Sequence, residues 1–229
     1  MELTEGTLLG GRVRYCQPAD GYRTGIEPVL LAAFSPAREG DRVLEVGCGA
    51  GAGLLCLLSR LPGVHGVGLE RDPAMAALAR QNAALNQLPF EVTVGGIADF
   101  QGGPFDHAFA NPPWHDAAST PSATKAWAKQ GGPDLLAEWL LAMRRAVRHG
   151  GTVTLLIPAG QFGRAAASAL AAGLGGLVLT PLWPRAGAPA KLILLRATAG
   201  SRAADQVEPG LVLHEGAGYS PAAQAMLAP

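Results

Sequence analysis

Residues 110–116 read Ala-Asn-Pro-Pro-Trp-His-Asp, directly after the apolar pair Ala108-Phe109. Two consecutive prolines cannot continue a strand ladder, because neither has an N–H to give it, so the chain must turn here. The same residues are equipped for chemistry on a planar amine. An aryl or amide nitrogen is a poor nucleophile, since its lone pair is delocalised. Two acceptors aimed at its N–H groups let it pyramidalise and direct that lone pair. The Asn111 side-chain carbonyl is one such acceptor and the Pro112 backbone carbonyl is the other, its direction stiffened by the prolines. Trp114 offers a flat face on which a base stacks, worth roughly 1–3 kcal/mol. A rigid polar exit from a strand uses the same residues with no chemistry at all, and the stretch alone does not choose.

The second chemical signal is LEVGCGAGAG at 44–53. Gly47, Gly49 and Gly51 fall between a strand and a helix, where glycine lets the backbone turn tightly and approach a ligand at the helix N-terminus. The run also reads G-x-G-x-x-A with Ala52 last, a variant of the dinucleotide fingerprint. Glu70, ending the next strand, suits the ribose hydroxyls of a nicotinamide or an adenosyl cofactor. Glu45 separates the two. A carboxylate two residues before Gly47 repels a pyrophosphate and attracts the ammonium and sulfonium of S-adenosylmethionine. E-x-G-x-G with an acid at the second strand end therefore favours S-adenosylmethionine over NAD.

These residues need a scaffold, and the apolar pattern supplies one. Short valine- and leucine-rich runs at 42–47, 64–70 and 90–94, before Asn111, and at 151–158, 176–182 and 190–196 predict strands. Helical patterns occupy 53–61, the segment after Asp72-Pro73, 133–148 and 161–173, with Asp72 placed to cap and Pro73 at the first helical position. Alternating strands and helices predict an α/β Rossmann-like fold, a mostly parallel sheet with helices on both faces. Ligands bind at the carboxyl ends of such strands, where both motifs lie. The Pro/Gly-rich stretch 181–191 replaces a helix between the last two strands, so an antiparallel edge hairpin is expected. Residues 1–40 form an N-terminal extension packed on the core, and 41–229 form the catalytic domain, a single domain overall.

Bulk properties narrow the setting. The chain has 229 residues, 48% of them hydrophobic, and a formal net charge of zero. It lacks the overall basic charge by which many nucleic-acid binders are recognised, which leaves a local patch as the route to such a partner. Three cysteines without a C-x-x-C pair argue against a disulfide framework or a zinc site, and a reducing, cytoplasmic compartment is expected. The first residues are polar and acidic rather than signal-like, and no apolar run reaches the roughly 18–20 residues of a membrane span. No membrane and no metal is therefore expected.

N-P-P-[aromatic] combined with E-x-G-x-G resembles the Rossmann-like amino-methyltransferases that act on planar nitrogens of adenine, guanine or glutamine. A narrower similarity lies outside those motifs. QPADGYRTGIEPVLLAAF (17–34), PLWPRAGAPAKLILLRATAG (181–200) and LVLHEGAGYSPAAQAML (211–227) resemble segments of the bacterial tRNA (adenine-N6)-methyltransferases that modify tRNA-Val. The similarity spans about residues 15–227. It implies a seven-stranded methyltransferase fold, S-adenosylmethionine as donor with S-adenosylhomocysteine as product, and methylation of an adenine exocyclic amine in tRNA. Carried over, Glu45, Gly47, Gly49 and Gly51 hold the methionine and ribose part of the cofactor, and Glu70 takes the ribose hydroxyls. Asn111, Pro112 and Trp114 hold the target base, and Gln17, Tyr22 and Arg23 line or close the cofactor pocket.

The chain departs from the family after the third strand. Gly96 in GGIADF stands where an Asp that touches the cofactor adenine is usual, and Asp99 either substitutes from a shifted loop or caps a turn. His115 and Asp116 read as loop residues without a catalytic role, because the amine needs no base before attack. Lys125, Trp127 and Lys129 make a basic-plus-aromatic pattern that suits RNA or a solvated loop equally. Arg144, Arg145 and Arg148 complement the dipole of a last helical turn. Arg185, Lys191, Arg196 and Arg202, with Arg12, Arg14 and Arg23, are a candidate phosphate-binding face. Cys48 reads as a small loop residue. Other acceptors (a guanine in rRNA, a protein glutamine), an NAD-binding domain and a non-catalytic binding module stay open on sequence alone.

Overall fold

In the computed structural model, which describes residues 2–20, 23–113 and 135–229, all the expected strands form one sheet. They are β3 (Arg42–Val46), β4 (His65–Glu70), β5 (Glu91–Val94), β6 (Phe105–Ala110), β7 (Val147–Pro158), β8 (Leu174–Trp183) and β9 (Leu192–Ala199). The two-residue strands β10 (Gln206–Val207) and β11 (Leu211–Val212) extend the sheet along β8. The order is β10-β8-β9-β7-β6-β3-β4-β5, with β9 antiparallel to both neighbours. β8 and β9 are the expected edge hairpin. Because β9 alone is reversed, Trp183 at the end of β8 emerges at the same edge as the carboxyl ends of β3, β4, β6 and β7.

The central parallel strands β3, β6 and β7 are buried on both faces, so their side chains divide by alternation. Val43, Phe109 and Leu156 join one core with Leu54, Leu55 and Leu57 of α2 (Ala52–Arg60). Leu44, Val46, Leu155 and Ile157 join the other, beneath Trp139, Leu140 and Met143 of α4 (Leu135–Ala146). α1 (Glu27–Ala33) contributes Leu30 and Leu31 to the first core, where α3 (Pro73–Asn86) places Leu78 and α6 (Pro221–Leu227) places Ala223. α5 (Phe162–Ala171) packs on the second core. Among the described residues no helix is long and apolar enough to cross a membrane.

The N-terminal residues form a hairpin, β1 (Leu3–Leu8) with β2 (Val13–Pro18), whose Val13, Tyr15 and Cys16 enter the first core. α3 holds it with two asparagines one turn apart. Asn82 is fully buried, accepting from the Cys16 amide at 2.9 Å and donating to the Cys16 carbonyl at 2.9 Å and the Ala50 carbonyl at 3.0 Å. Asn86 pairs both backbone groups of Arg14 in the same way, at 2.8 and 2.7 Å. The helix face thus takes the place of a neighbouring strand and satisfies backbone groups that burial would otherwise orphan.

The structure corrects two sequence expectations. Arg148 lies on β7 rather than in a last helical turn, because Val147 pairs with Phe105 and the Arg148 guanidinium bonds Asp106 at 2.6 Å. The candidate phosphate face does not assemble. Arg196 is mid-strand, 3.9 Å from Glu208, Arg202 follows the far end of β9, and Arg14 sits on the hairpin 4.0 Å from Glu5. Arg185 and Lys191 stand at the carboxyl edge, in the β8–β9 loop.

Candidate active site

Three neighbouring strands end in a row. Val46 pairs with Ala110 on one side and Leu69 on the other. The next residue on each strand is Gly47, Asn111 and Glu70, so an exposed glycine is flanked by a part-exposed amide and a carboxylate. Adjacent strands lie about 4.8 Å apart, which brings all three within the span of one small ligand. Pro112 is buried directly behind Asn111, which fixes where the chain leaves the sheet.

The glycines of the loop serve different needs. Gly47, Gly49 and Gly51 have φ of +68°, +53° and +87°, values that L side chains rarely adopt. A Cβ on Gly51 would stand 2.7 Å from the Phe90 ring, and one on Gly47 would stand 3.0 Å from Trp139, so packing forbids side chains there as well. A Cβ on Gly49 would make only ordinary contact with the Met75 methyl at 3.8 Å, and the positive φ of Gly49 aims its amide at Glu70.

Glu70 is the brace of the loop. One carboxylate oxygen accepts from the Gly49 amide at 2.8 Å and the other from the Asp72 amide at 2.9 Å. A carboxylate has about four lone-pair sites, so two remain for further donors. Asp72 caps α3 as expected, accepting from Ala74 at 2.8 Å and Met75 at 3.4 Å, with Pro73 behind it.

Glu45 points to the α2 face and is 4% exposed. It accepts from the Leu54 amide at 2.9 Å and lies against Gly53, which has no room for a side chain. Burial pushes its carboxyl up to about 8, and the nearby Glu70 charge adds to the push. Two acidic groups beneath one loop, one of them held largely protonated by burial, make a site that a cationic ligand favours and an anionic one opposes. That charge suits a cationic ligand such as S-adenosylmethionine. Burial raises the Cys48 thiol far above its usual range, and its sulfur packs against Gly68, in keeping with a small loop residue.

The remaining sequence candidates fall as follows. Asp99 ends a short 3-10 turn, Ile97–Asp99. A Cβ on Gly96 would lie 4.0 Å from its carboxylate. Gln17 accepts from the Thr24 amide at 2.9 Å, and Arg23 bonds the Thr4 hydroxyl at 2.9 Å. Both therefore brace the segment that follows β2. Tyr22, Trp114, His115, Asp116, Lys125, Trp127 and Lys129 lie outside the described residues. Sequence reasoning missed Asn82, which ties the hairpin to the glycine loop through Ala50, and Trp139, which floors Gly47. The available signal was two asparagines four residues apart in an alanine- and leucine-rich helix, since asparagine is a poor residue for a helix interior.

The chain is similar to known methyltransferases in sequence and in fold. The pattern that defines the methyltransferase small domain family matches residues 27–138. A tRNA1(Val) (adenine(37)-N6)-methyltransferase of Aeromonas hydrophila is 30% identical over 200 residues, covering 86% of this chain and 84% of that protein. A ribosomal RNA small subunit methyltransferase C of Erwinia tasmaniensis is 35% identical over 119 residues, 52% of this chain and 33% of that protein. In fold, the chain matches the crystal structure of a predicted O-methyltransferase from Agrobacterium tumefaciens with a TM-score of 0.71 at 24% identity, over 87% of this chain and 94% of that one. The protein is an S-adenosylmethionine-dependent methyltransferase, and it belongs to the family of tRNA1(Val) (adenine-N6)-methyltransferases.

Proposed function

We propose that the protein methylates the exocyclic amine of an adenine in tRNA, with the reaction centred on Asn111. The observation that carries this is the register of β3 and β6, which sets Asn111 beside Gly47 at the edge of the glycine loop. S-adenosylmethionine, when bound, supplies an electrophilic methyl group. Glu70 offers its two unused lone pairs to ribose hydroxyls, and the backbone of Gly47, Gly49 and Gly51 takes the methionine end. Asp99 serves the adenine end in place of the usual acid at 96. Glu45 acts through the loop: it fixes the first turn of α2, and a cationic ligand above it would favour release of the proton that burial makes it keep.

On the substrate side, Asn111 Oδ1 and the Pro112 carbonyl accept the two amine N–H groups and turn the lone pair toward the loop. Trp114 supplies the stacking face. The amine proton becomes acidic only after transfer and leaves to water at the part-exposed Asn111, so no buried base is required. Gln17 and Arg23 hold the N-terminal segment that borders the site, with Tyr22 between them in the chain.

The test offers the protein, with methyl-labelled S-adenosylmethionine, three acceptors in parallel: unmodified tRNA, small-subunit rRNA and total protein. Label confined to tRNA and recovered as N6-methyladenosine is expected. Label in rRNA guanine or in protein glutamine would overturn the proposal.

A further inference from the structure

We propose that an open groove at the end of β8 receives an unpaired nucleobase of the RNA substrate, one that flanks the adenine presented to Asn111; this rests on the tRNA reading above. The groove measures about 550 Å³ and is lined by Trp183, Ala186, Gly187, Ala188, Pro189 and Val212. Its one large side chain is an indole, and that indole is pinned: Trp183 Nε1 donates to the Pro209 carbonyl at 3.1 Å. A fixed ring loses little entropy when a planar partner stacks on it. The other lining residues are small, and a Cβ on Gly187 would meet nothing within 4 Å, so there is space for a flat group.

Charge selects the occupant. No lining residue is charged, while Arg185 and Lys191, both exposed, flank the groove within the same loop. Arg185 spends one N–H on the Gly216 carbonyl at 2.8 Å and keeps its remaining donors. Glu215 is the acid on the adjoining hairpin of β12 (His214–Glu215) and β13 (Gly218–Tyr219), where the His214 and Tyr219 rings stack at 4.9 Å. An aromatic platform between cations matches a base with its phosphates, the recognition mode of single-stranded nucleic acid.

Position links the groove to the site. Through the pairings of β6, β7, β9 and β8, Asn111 lies level with Thr180. Trp183 is three strands away, about 14 Å, and three residues higher, about 10 Å. Lys191 stands between, its carbonyl accepting from Ala159 just past β7 at 2.9 Å. A base drawn into the site leaves its neighbours splayed over this rim.

Direct binding tests the assignment. A labelled stem-loop RNA carries the target adenine in its loop, and companion RNAs replace each flanking loop nucleotide in turn by an abasic linker. Trp183→Ala is expected to weaken the intact RNA about tenfold, yet to add nothing for the one abasic RNA that lacks the stacked base. Trp183→Phe keeps a stacking face and should bind within about threefold of wild type. Ala188→Asp, on the open loop, should reproduce the tenfold loss if Trp183→Ala fails to fold. Removing Arg185 and Lys191 together should lower the slope of log affinity against log salt by about 1.4. Equal weakening of every RNA, or none, overturns the assignment. Concentration-dependent self-association that Trp183→Ala abolishes would give the groove to a second copy and overturn it too. RNA bound with the expected pattern but never methylated would leave the groove standing and sink the methylation reading. Methylated tRNA bound independently of Trp183 would do the reverse.

Discussion

Asn111 and Gly47 leave the sheet side by side, each one residue beyond the paired Ala110 and Val46 of β6 and β3. A strand register is a backbone property, set by hydrogen bonds and by which side chains must be buried. Slipping β6 by one residue would turn Phe109 into the wrong core and carry Asn111 away from the loop. The relation between Asn111 and the glycine loop is therefore held by the interior of the protein and not by surface loops.

Glu70 both braces the loop and, in this account, binds the ribose. Replacing it by alanine should weaken S-adenosylmethionine about 10- to 100-fold, in line with hydrogen bonds to a charged group. Isothermal titration measures this directly. An unchanged affinity would remove Glu70 from the cofactor site and leave it the loop brace alone.

Glu45 predicts a pH dependence. Its carboxyl is pushed up to about 8, from an ordinary value of 4.5. Between those values the folded chain holds a proton that the unfolded chain has released. Stability without ligand should therefore fall as pH rises from about 4.5 to about 8, by up to about 1.4 kcal/mol per unit from this group. Urea unfolding of wild type and Glu45→Gln at pH 5.5 and 7.5 isolates the effect. The variant should gain relative to wild type at the higher pH, and a difference independent of pH would contradict the assignment.

Asn82 supports the loop from outside. Asn82→Ala leaves both backbone groups of Cys16 and the Ala50 carbonyl without their partner. A loss of about 2–4 kcal/mol in denaturant unfolding is expected, with faster amide exchange at Cys16. Normal stability would mean that the hairpin is held by its apolar contacts alone.

What could be read from the sequence follows from how local each signal is. β3, β4 and β6 are short apolar runs closed by glycine or proline, so their ends and the residues beyond them were evident. The Asp72 cap needs only three neighbouring residues and was evident too. Long-range partners were not. Arg148 belongs to β7 because Phe105 and Asp106, some forty residues earlier, receive it. Arg196 looked available for phosphate until Glu208 was placed beside it. Gln17 and Arg23 are expected at the cofactor pocket, and their hydrogen-bond partners, Thr24 and Thr4, are contacts that no spacing rule announces.

The most direct test of the account is the nucleoside product of tRNA incubated with S-adenosylmethionine and either wild type or Asn111→Ala. N6-methyladenosine is expected with wild type, at least a hundredfold less with the variant, and equal S-adenosylmethionine affinity in the two. N6-methyladenosine formed as fast by Asn111→Ala as by wild type would contradict it.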